Sequence, residues 1–336
     1  MNLPSDIQEK IRRIDQALLH LSSHIRNCRL CPRECGVNRG KGELGFCQTG
    51  PEAFLSHAIL HYGEEPVLSG NLDDRQDRIK TPKQKAGSGT VFFSGCNLKC
   101  LFCQNYQLSW LNHGEKARKE ALSSSMLRLQ HQGALNINLV SPTHQIPAIL
   151  RSLKQAYLEG LDIPIVYNSN GYEKAEILEH LDRIIDIYLP DIKYVSPSLS
   201  QKYSGAPDYF QHAGLALKEM HRQRPFLICD QNEIALKGLI IRHLVLPGQT
   251  EDSLSILDWI ARNLSTDVCI SLMSQYHPCY KAPPELQKKL FLDEYRKVLN
   301  KAQEIGFETL FIQPDSFTLE EHKIPDFTKK NPFDWS

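Results

Sequence analysis

No stretch of this chain approaches the roughly 18 consecutive apolar residues that cross a bilayer, and its first residues lack the basic and apolar regions of a secretion signal. Charge of one sign is missing too. Lys and Arg total 39, Asp and Glu total 39, and the 13 histidines are scattered, so no basic stripe follows a phosphate backbone. These absences lead to the expectation of a cytoplasmic protein with neither a membrane nor a nucleic acid as partner.

What the chain does have is cysteine, ten residues in 336. A reducing compartment and a chain long enough for a large α/β core argue against a disulfide framework, which leaves metal ligation as the default. Seven of the ten fall in two tight sets, Cys28/Cys31/Cys35/Cys47 and Cys96/Cys100/Cys103. Cys229, Cys269 and Cys279 stand alone and read as small buried hydrophobes.

The pattern along the chain supports one main domain with decorations. Ile7, Ile11, Ile14, Leu18 and Leu21 form a helical stripe over residues 6–21, so residues 1–27 read as an amphipathic N-terminal helix and its exit. Residues 28–50, rich in Cys, Gly, Arg and Pro, read as a small knuckle held by metal instead of a core. Residues 51–89 read as a connecting segment with a charged loop at 71–85, and 316–336 as a tail.

Between them, over 90–315, short apolar runs alternate with amphipathic stretches. The candidate strands are 90–94, 136–140, 164–167, 184–189, 239–246, 268–273 and 309–312. Gly133, Gly160 and Gly306 stand just before three of them, where a left-handed residue closes a helix and returns the chain to the sheet. Alternating elements imply parallel strands with right-handed crossovers, in either a barrel or an open doubly wound sheet. Polar residues follow nearly every strand: Cys96; Ser141-Pro142-Thr143-His144; Asn168-Ser169-Asn170-Gly171; Asp191 and Lys193; Pro247-Gly248; Gln275-Tyr276-His277; Gln313. Carboxyl ends of strands are where such sheets carry their chemistry.

Cys96, Cys100 and Cys103 have spacings of four and three within one loop. Three thiolates hold three irons of a cubane and leave the fourth iron open to substrate. With Phe102 before the last cysteine and a strand before the first, the loop resembles that of the radical S-adenosylmethionine (SAM) superfamily. The resemblance extends to the pyruvate formate-lyase-activating-enzyme group, in particular its PflX-type relatives. It rests on Cys28-Arg29-Leu30-Cys31-Pro32-Arg33-Glu34-Cys35, on the cluster loop, on 136–144, on Leu189-Pro190-Asp191-Ile192-Lys193-Tyr194, and on Arg242-His243-Leu244-Val245-Leu246-Pro247-Gly248.

That resemblance implies a partial (βα)6 TIM-like barrel, a [4Fe-4S] cluster, bound SAM and an electron donor such as flavodoxin or ferredoxin. It also implies reductive cleavage of SAM to a 5′-deoxyadenosyl radical that abstracts hydrogen from a protein or peptide target, as a glycyl-radical-enzyme activase does. Phe102 takes the place beside the SAM adenine. Lys193 takes the SAM contact and Asp191 the hold on a nearby monovalent cation, while Tyr276-His277 resembles a pair whose histidine contacts SAM. The candidate cofactor-binding residues are thus Phe102, Ser141, Thr143, His144, Asn168, Asn170, Asp191, Lys193, Arg242 and His277.

One departure stands out. Where activating enzymes carry a Gly-Gly-Glu motif for the SAM amino group, this chain has Ser141-Pro142-Thr143-His144. Thr143 and His144 offer lone pairs to an ammonium only if both point inward. Two other functions therefore stay open: radical modification of a small molecule or side chain, and a noncatalytic iron–sulfur or zinc scaffold. The four N-terminal cysteines fit a structural zinc or a second iron–sulfur centre equally well.

Overall fold

The computed structural model describes residues 3–70, 87–313 and 324–334; the expected charged loop at 71–85 and part of the expected tail lie outside them. The N-terminal helix Ser5–Leu21 forms as its stripe predicts, with Ile7, Ile14 and Leu21 buried and Ile11 and Leu18 partly so. It packs on the helix Ile146–Leu158, and the contact is tied at its edge by Lys10 to Asp186 and Lys154 to Asp15, each at 2.6 Å.

All seven expected strands form: β2 (Gly87–Phe93), β4 (Ala134–Val140), β5 (Ile165–Ser169), β6 (Ile187–Pro190), β8 (Ala235–Leu244), β9 (Cys269–Met273) and β10 (Leu310–Ile312). Each after β2 pairs in parallel with the one named before it. The spatial order follows the sequence order without a reversal. A doubly wound sheet reverses at a switch point; six successive βα units with none build the partial barrel type. Gly133, Gly160 and Gly306 do take positive φ, at 89°, 101° and 89°. The expected start of β6 at 184 moves to 187, because Ile184 and Ile185 bond back to the Leu181 carbonyl through a turn in which Arg183 has φ 63°.

Three short or half-buried strands are additional. β1 (Ala53–His61) runs antiparallel to β2 within the expected connecting segment, β3 (Glu115–Ala117) pairs β1, and β7 (Ile228–Cys229) pairs β8.

Alternation along the parallel strands divides the apolar mass. Ile137, Leu139, Ile165, Tyr167, Tyr188, Leu239, Ile241, Ile270 and Leu272 pack outward under the helices. Val166, Ile187, Leu189, Ile240 and Cys269 face inward and meet Leu68, from the helical turn Pro66–Ser69. The segment 64–70 therefore lines the concave face, where Asn136 Nδ2 holds the Leu68 carbonyl at 2.8 Å. Among the described residues no helix is long and apolar enough to cross a membrane.

Candidate active site

The loop after β2 is shaped by a glycine and lined by buried sulfur. Gly95 has φ 80°, and a Cβ there would stand 2.5 Å from the Cys47 carbonyl oxygen, so no larger residue fits without moving the N-terminal knuckle. Cys96 and Cys100 are buried and Cys103 half-buried, all as free thiols. Every sulfur meets a donor. Asn170 Nδ2 (3.4 Å) and the Leu98 amide (3.3 Å) approach Cys96, the Ser204 hydroxyl (3.2 Å) approaches Cys100, and the Ser109 hydroxyl (3.3 Å) approaches Cys103. Burial pushes the Cys96 thiol up and the Cys103 thiol up to about 12, so a thiolate at either place needs compensation from outside the sulfur itself. Donors aimed at each sulfur are the surroundings a metal-bound thiolate takes, and the three residues fit an iron–sulfur cluster.

Asp191 and Lys193, at the end of β6, come to the same place. Although burial opposes its charge, Lys193 is held protonated well above the usual lysine range by Asp191, whose Oδ2 accepts from Nζ at 2.6 Å, and by Cys100. The ammonium is near enough to favour the Cys96 and Cys103 thiolates. Phe102 is buried edge-on between Tyr203 (6.2 Å) and Tyr276 (5.9 Å between ring centroids). Asn170 spans Cys96 and the Asn97 side chain (2.8 Å), and its carbonyl accepts from the Tyr209 hydroxyl at 2.9 Å. Sequence reasoning missed Ser109, Ser204, Tyr203 and Tyr209; only their nearness in space marks them.

The residues standing for the Gly-Gly-Glu motif are placed differently. Ser141 has φ 57°, and its amide donates to the Asn168 carbonyl at 2.8 Å, which continues the β4–β5 pairing. Thr143 is fully buried and donates to Glu173, a carboxyl that burial pushes up to about 7. His144 is fully buried as well; burial pushes it down to about 4, its Nε2 stands 3.0 Å from the Ser94 carbonyl, and its Nδ1 meets no partner. Neither side chain reaches the surface, so neither offers a lone pair to an arriving ammonium. Arg242 is likewise engaged: it binds Glu65 at 2.8 and 2.6 Å and also Glu64, on the concave face of β8. Its charge is already satisfied by those two carboxylates, which the sequence pattern gave no reason to connect to it. His277 is half-buried beside the buried Tyr276 and makes no hydrogen bond or ion pair among the described residues.

In the knuckle, Cys28, Cys31 and Cys47 are buried and Cys35 half-buried. Burial raises Cys28 and Cys31, while the Leu30 and Arg33 amides donate to their sulfurs. The Phe46 amide reaches Cys35 at 3.3 Å and the Arg39 guanidinium reaches Cys47 at 3.4 Å. Four sulfurs, each with its own donor, are chemically suited to a closed metal centre. Among the described residues, no three His, Cys, Asp or Glu side chains are gathered tightly enough to hold a single metal ion, and this holds for both cysteine sets.

Residues 86–204 match the family model of a 4Fe-4S single cluster domain. The uncharacterized protein MJ0674 of Methanocaldococcus jannaschii is 31% identical over 298 residues, covering 85% of this chain and 77% of that protein. Among solved structures, Streptococcus suis SuiB bound to the precursor peptide SuiA aligns at 14% identity with a TM-score of 0.45, over 65% of this chain and 46% of that one. SuiB bound to S-adenosylmethionine aligns at 15% identity and 0.44, over 71% and 51%. Methylornithine synthase (PylB) aligns at 16% and 0.43, over 62% and 59%. The chain thus spans about half the length of those solved structures. At 31% identity over most of both chains, the chain belongs to one family with the M. jannaschii protein, and within it residues 86–204, with the Cys96/Cys100/Cys103 loop, match the 4Fe-4S single cluster domain.

Proposed function

We propose that this chain is an enzyme that cleaves SAM reductively and uses the 5′-deoxyadenosyl radical to take a hydrogen atom from a protein or peptide backbone, in the manner of a glycyl-radical-enzyme activase. The observation that carries the reading is the set of three cysteines after β2, two buried and one half-buried, each sulfur met by a donor and the set lying beside the Lys193 ammonium. Cys96, Cys100 and Cys103 would hold a [4Fe-4S] cluster, which would supply the electron for the reductive cleavage of SAM. The target loses one hydrogen atom and 5′-deoxyadenosine is released.

The chain's own residues bind and orient. Lys193, kept charged by Asp191, offers the SAM carboxylate a compact ammonium. Phe102, fixed between two tyrosines, gives the adenine an apolar wall. His277, with no hydrogen bond or ion pair among the described residues, is free to take a SAM contact. Thr143 and His144 are sealed, so the SAM amino group finds its acceptor elsewhere. A monovalent cation near Asp191, a flavodoxin- or ferredoxin-like donor and a cytoplasmic setting complete the proposal, with a structural zinc or iron–sulfur centre in the knuckle.

The buried charges of Glu64, Glu65 and Arg242 on the concave face favour a second reading, radical modification of a small polar molecule. Anaerobically reconstituted protein given dithionite and SAM should yield 5′-deoxyadenosine and methionine, and Cys100→Ala should abolish both. Equal product from that variant overturns the assignment, and no product from the parent leaves the scaffold reading in its place.

A further inference from the structure

Arg33 lies in the knuckle between Cys31 and Cys35, yet its guanidinium makes its hydrogen bonds outside the knuckle. Nε donates to the Asn97 carbonyl at 2.9 Å and Nη2 to the Leu98 carbonyl at 3.4 Å. Nη1 donates to the Gly205 carbonyl at 2.6 Å and Nη2 also to the Ser204 carbonyl at 3.0 Å. The group stacks on Phe46, 3.9 Å from the ring centroid, with Tyr172 at 5.2 Å. Among the described residues it pairs with no carboxylate; four carbonyl oxygens take its charge instead.

Those carbonyls belong to residues that surround two of the cluster cysteines. Asn97 and Leu98 follow Cys96, and the Leu98 amide donates to the Cys96 sulfur. The Asn97 side chain is shared with Asn170, which also reaches that sulfur. Ser204 turns its hydroxyl to the Cys100 sulfur. A planar fork of five donors can bind four acceptors at once with little loss of rotamer freedom. Two further contacts join the same bodies: Arg39 to the His144 carbonyl, and the Cys47 carbonyl against Gly95.

We propose that Arg33 is a positioning residue through which the folded knuckle sets the surroundings of the cluster at Cys96 and Cys100. The inference rests on the iron–sulfur reading of that loop and assigns the four-cysteine knuckle a task beyond its own folding. Loosening Arg33 frees the Asn97–Leu98 and Ser204–Gly205 turns, so the donors to two cluster sulfurs lose their fixed direction. Loss of outer partners of this kind costs about 10–100-fold in metal affinity.

The test uses the full chain, reconstituted without oxygen, as parent, Arg33→Ala, Arg33→Lys, Cys31→Ala and the Arg33→Ala/Cys31→Ala double variant. The readouts are the electron paramagnetic resonance spectrum of the dithionite-reduced cluster and the rate at which a chelator strips its iron. Arg33→Ala should shift the spectrum and speed iron loss by about 10–100-fold. Arg33→Lys, with a single ammonium for four carbonyls, should fall between it and the parent. Cys31→Ala should reproduce the Arg33→Ala spectrum, and the double variant should add nothing, because both changes cut one connection. If Arg33→Ala does not fold, Arg33→Lys carries the test on the same readouts. A cluster spectrum and a stripping rate equal to the parent's in the Arg33 variants overturn the clamp while leaving the cluster assignment standing. A parent that holds no iron at Cys96 overturns the functional reading first and the clamp with it.

Discussion

Removing the Arg242 guanidinium should destabilise the barrel more than any loss of SAM contact would explain. Its side chain is 14% exposed and those of Glu64 and Glu65 are 7% and 5%. In Arg242→Met two carboxylates remain in the concave face, and among the described residues His61, 3.2 Å from Glu64, and the Asn138 amide, 3.0 Å from it, are what is left to answer them. Breaking a buried ion set from one side costs about 3–5 kcal/mol. At about 2 °C per kcal/mol for a long chain, the melting temperature should fall by about 6–10 °C, read by circular dichroism on anaerobic protein. Replacing the set together, as Glu64→Gln/Glu65→Leu/Arg242→Met, should recover most of that loss, since matched apolar replacement of a buried ion set is often neutral or stabilising.

The effect should also depend on pH. Burial alone would push Glu64 up, but Arg242 and His61 hold it down at about 2, against an ordinary value of 4.5. A depressed carboxyl contributes stability that is fully present above the unfolded value and is lost as pH falls through the folded one. The gap between parent and Arg242→Met should therefore be widest near neutrality and shrink between about pH 4.5 and 2, as the parent loses its charged pair. A melting temperature unchanged by Arg242→Met, or a gap constant with pH, would refute the reasoning, because a cavity alone carries no such dependence.

Lys193→Ala should weaken SAM binding by about 1–3 kcal/mol with iron content unchanged; isothermal titration giving equal affinity would reduce the Asp191–Lys193 pair to a local ion pair. Cys31→Ala/Cys35→Ala should lose either one zinc or a second set of about four irons by metal analysis, and a parent with a single cubane's iron and no zinc would end the knuckle's metal assignment. Gly171→Ala should lower the melting temperature, because φ is +79° there and the new Cβ would stand 2.2 Å from the Asp191 carbonyl oxygen; an unchanged melting curve would show that the turn yields freely.

The parallel strands were legible because each βα unit repeats one signal, a short β-branched run followed by an amphipathic stretch, and because Gly133, Gly160 and Gly306 punctuate it locally. β1 gave no such signal. All but its first residue are half-buried, since it lies antiparallel between β2 and the three-residue β3 near one end of the sheet, so no alternation of buried and exposed residues marks it. The three cluster cysteines could be read because their chemistry is carried by spacing within eight residues of one loop.

What surrounds them could not, for a physical reason that Thr143, His144 and Arg242 share. A polar residue after or within a strand shows which groups are available at a barrel's rim or concave face, but not which other group claims them first. Thr143 is taken by Glu173, thirty residues on, and Arg242 by Glu64 and Glu65, some 177 residues back. Buried polar atoms find partners wherever the fold brings them, since leaving one unpaired costs about as much as several surface contacts gain. The same rule explains why Arg33 escaped notice: a basic residue between two cysteines looks like local charge for thiolates, whereas its four acceptors come from turns more than sixty residues away. Where metal ligands are local and their supports are distant, the sequence exposes the chemistry and the fold decides how tightly it is held.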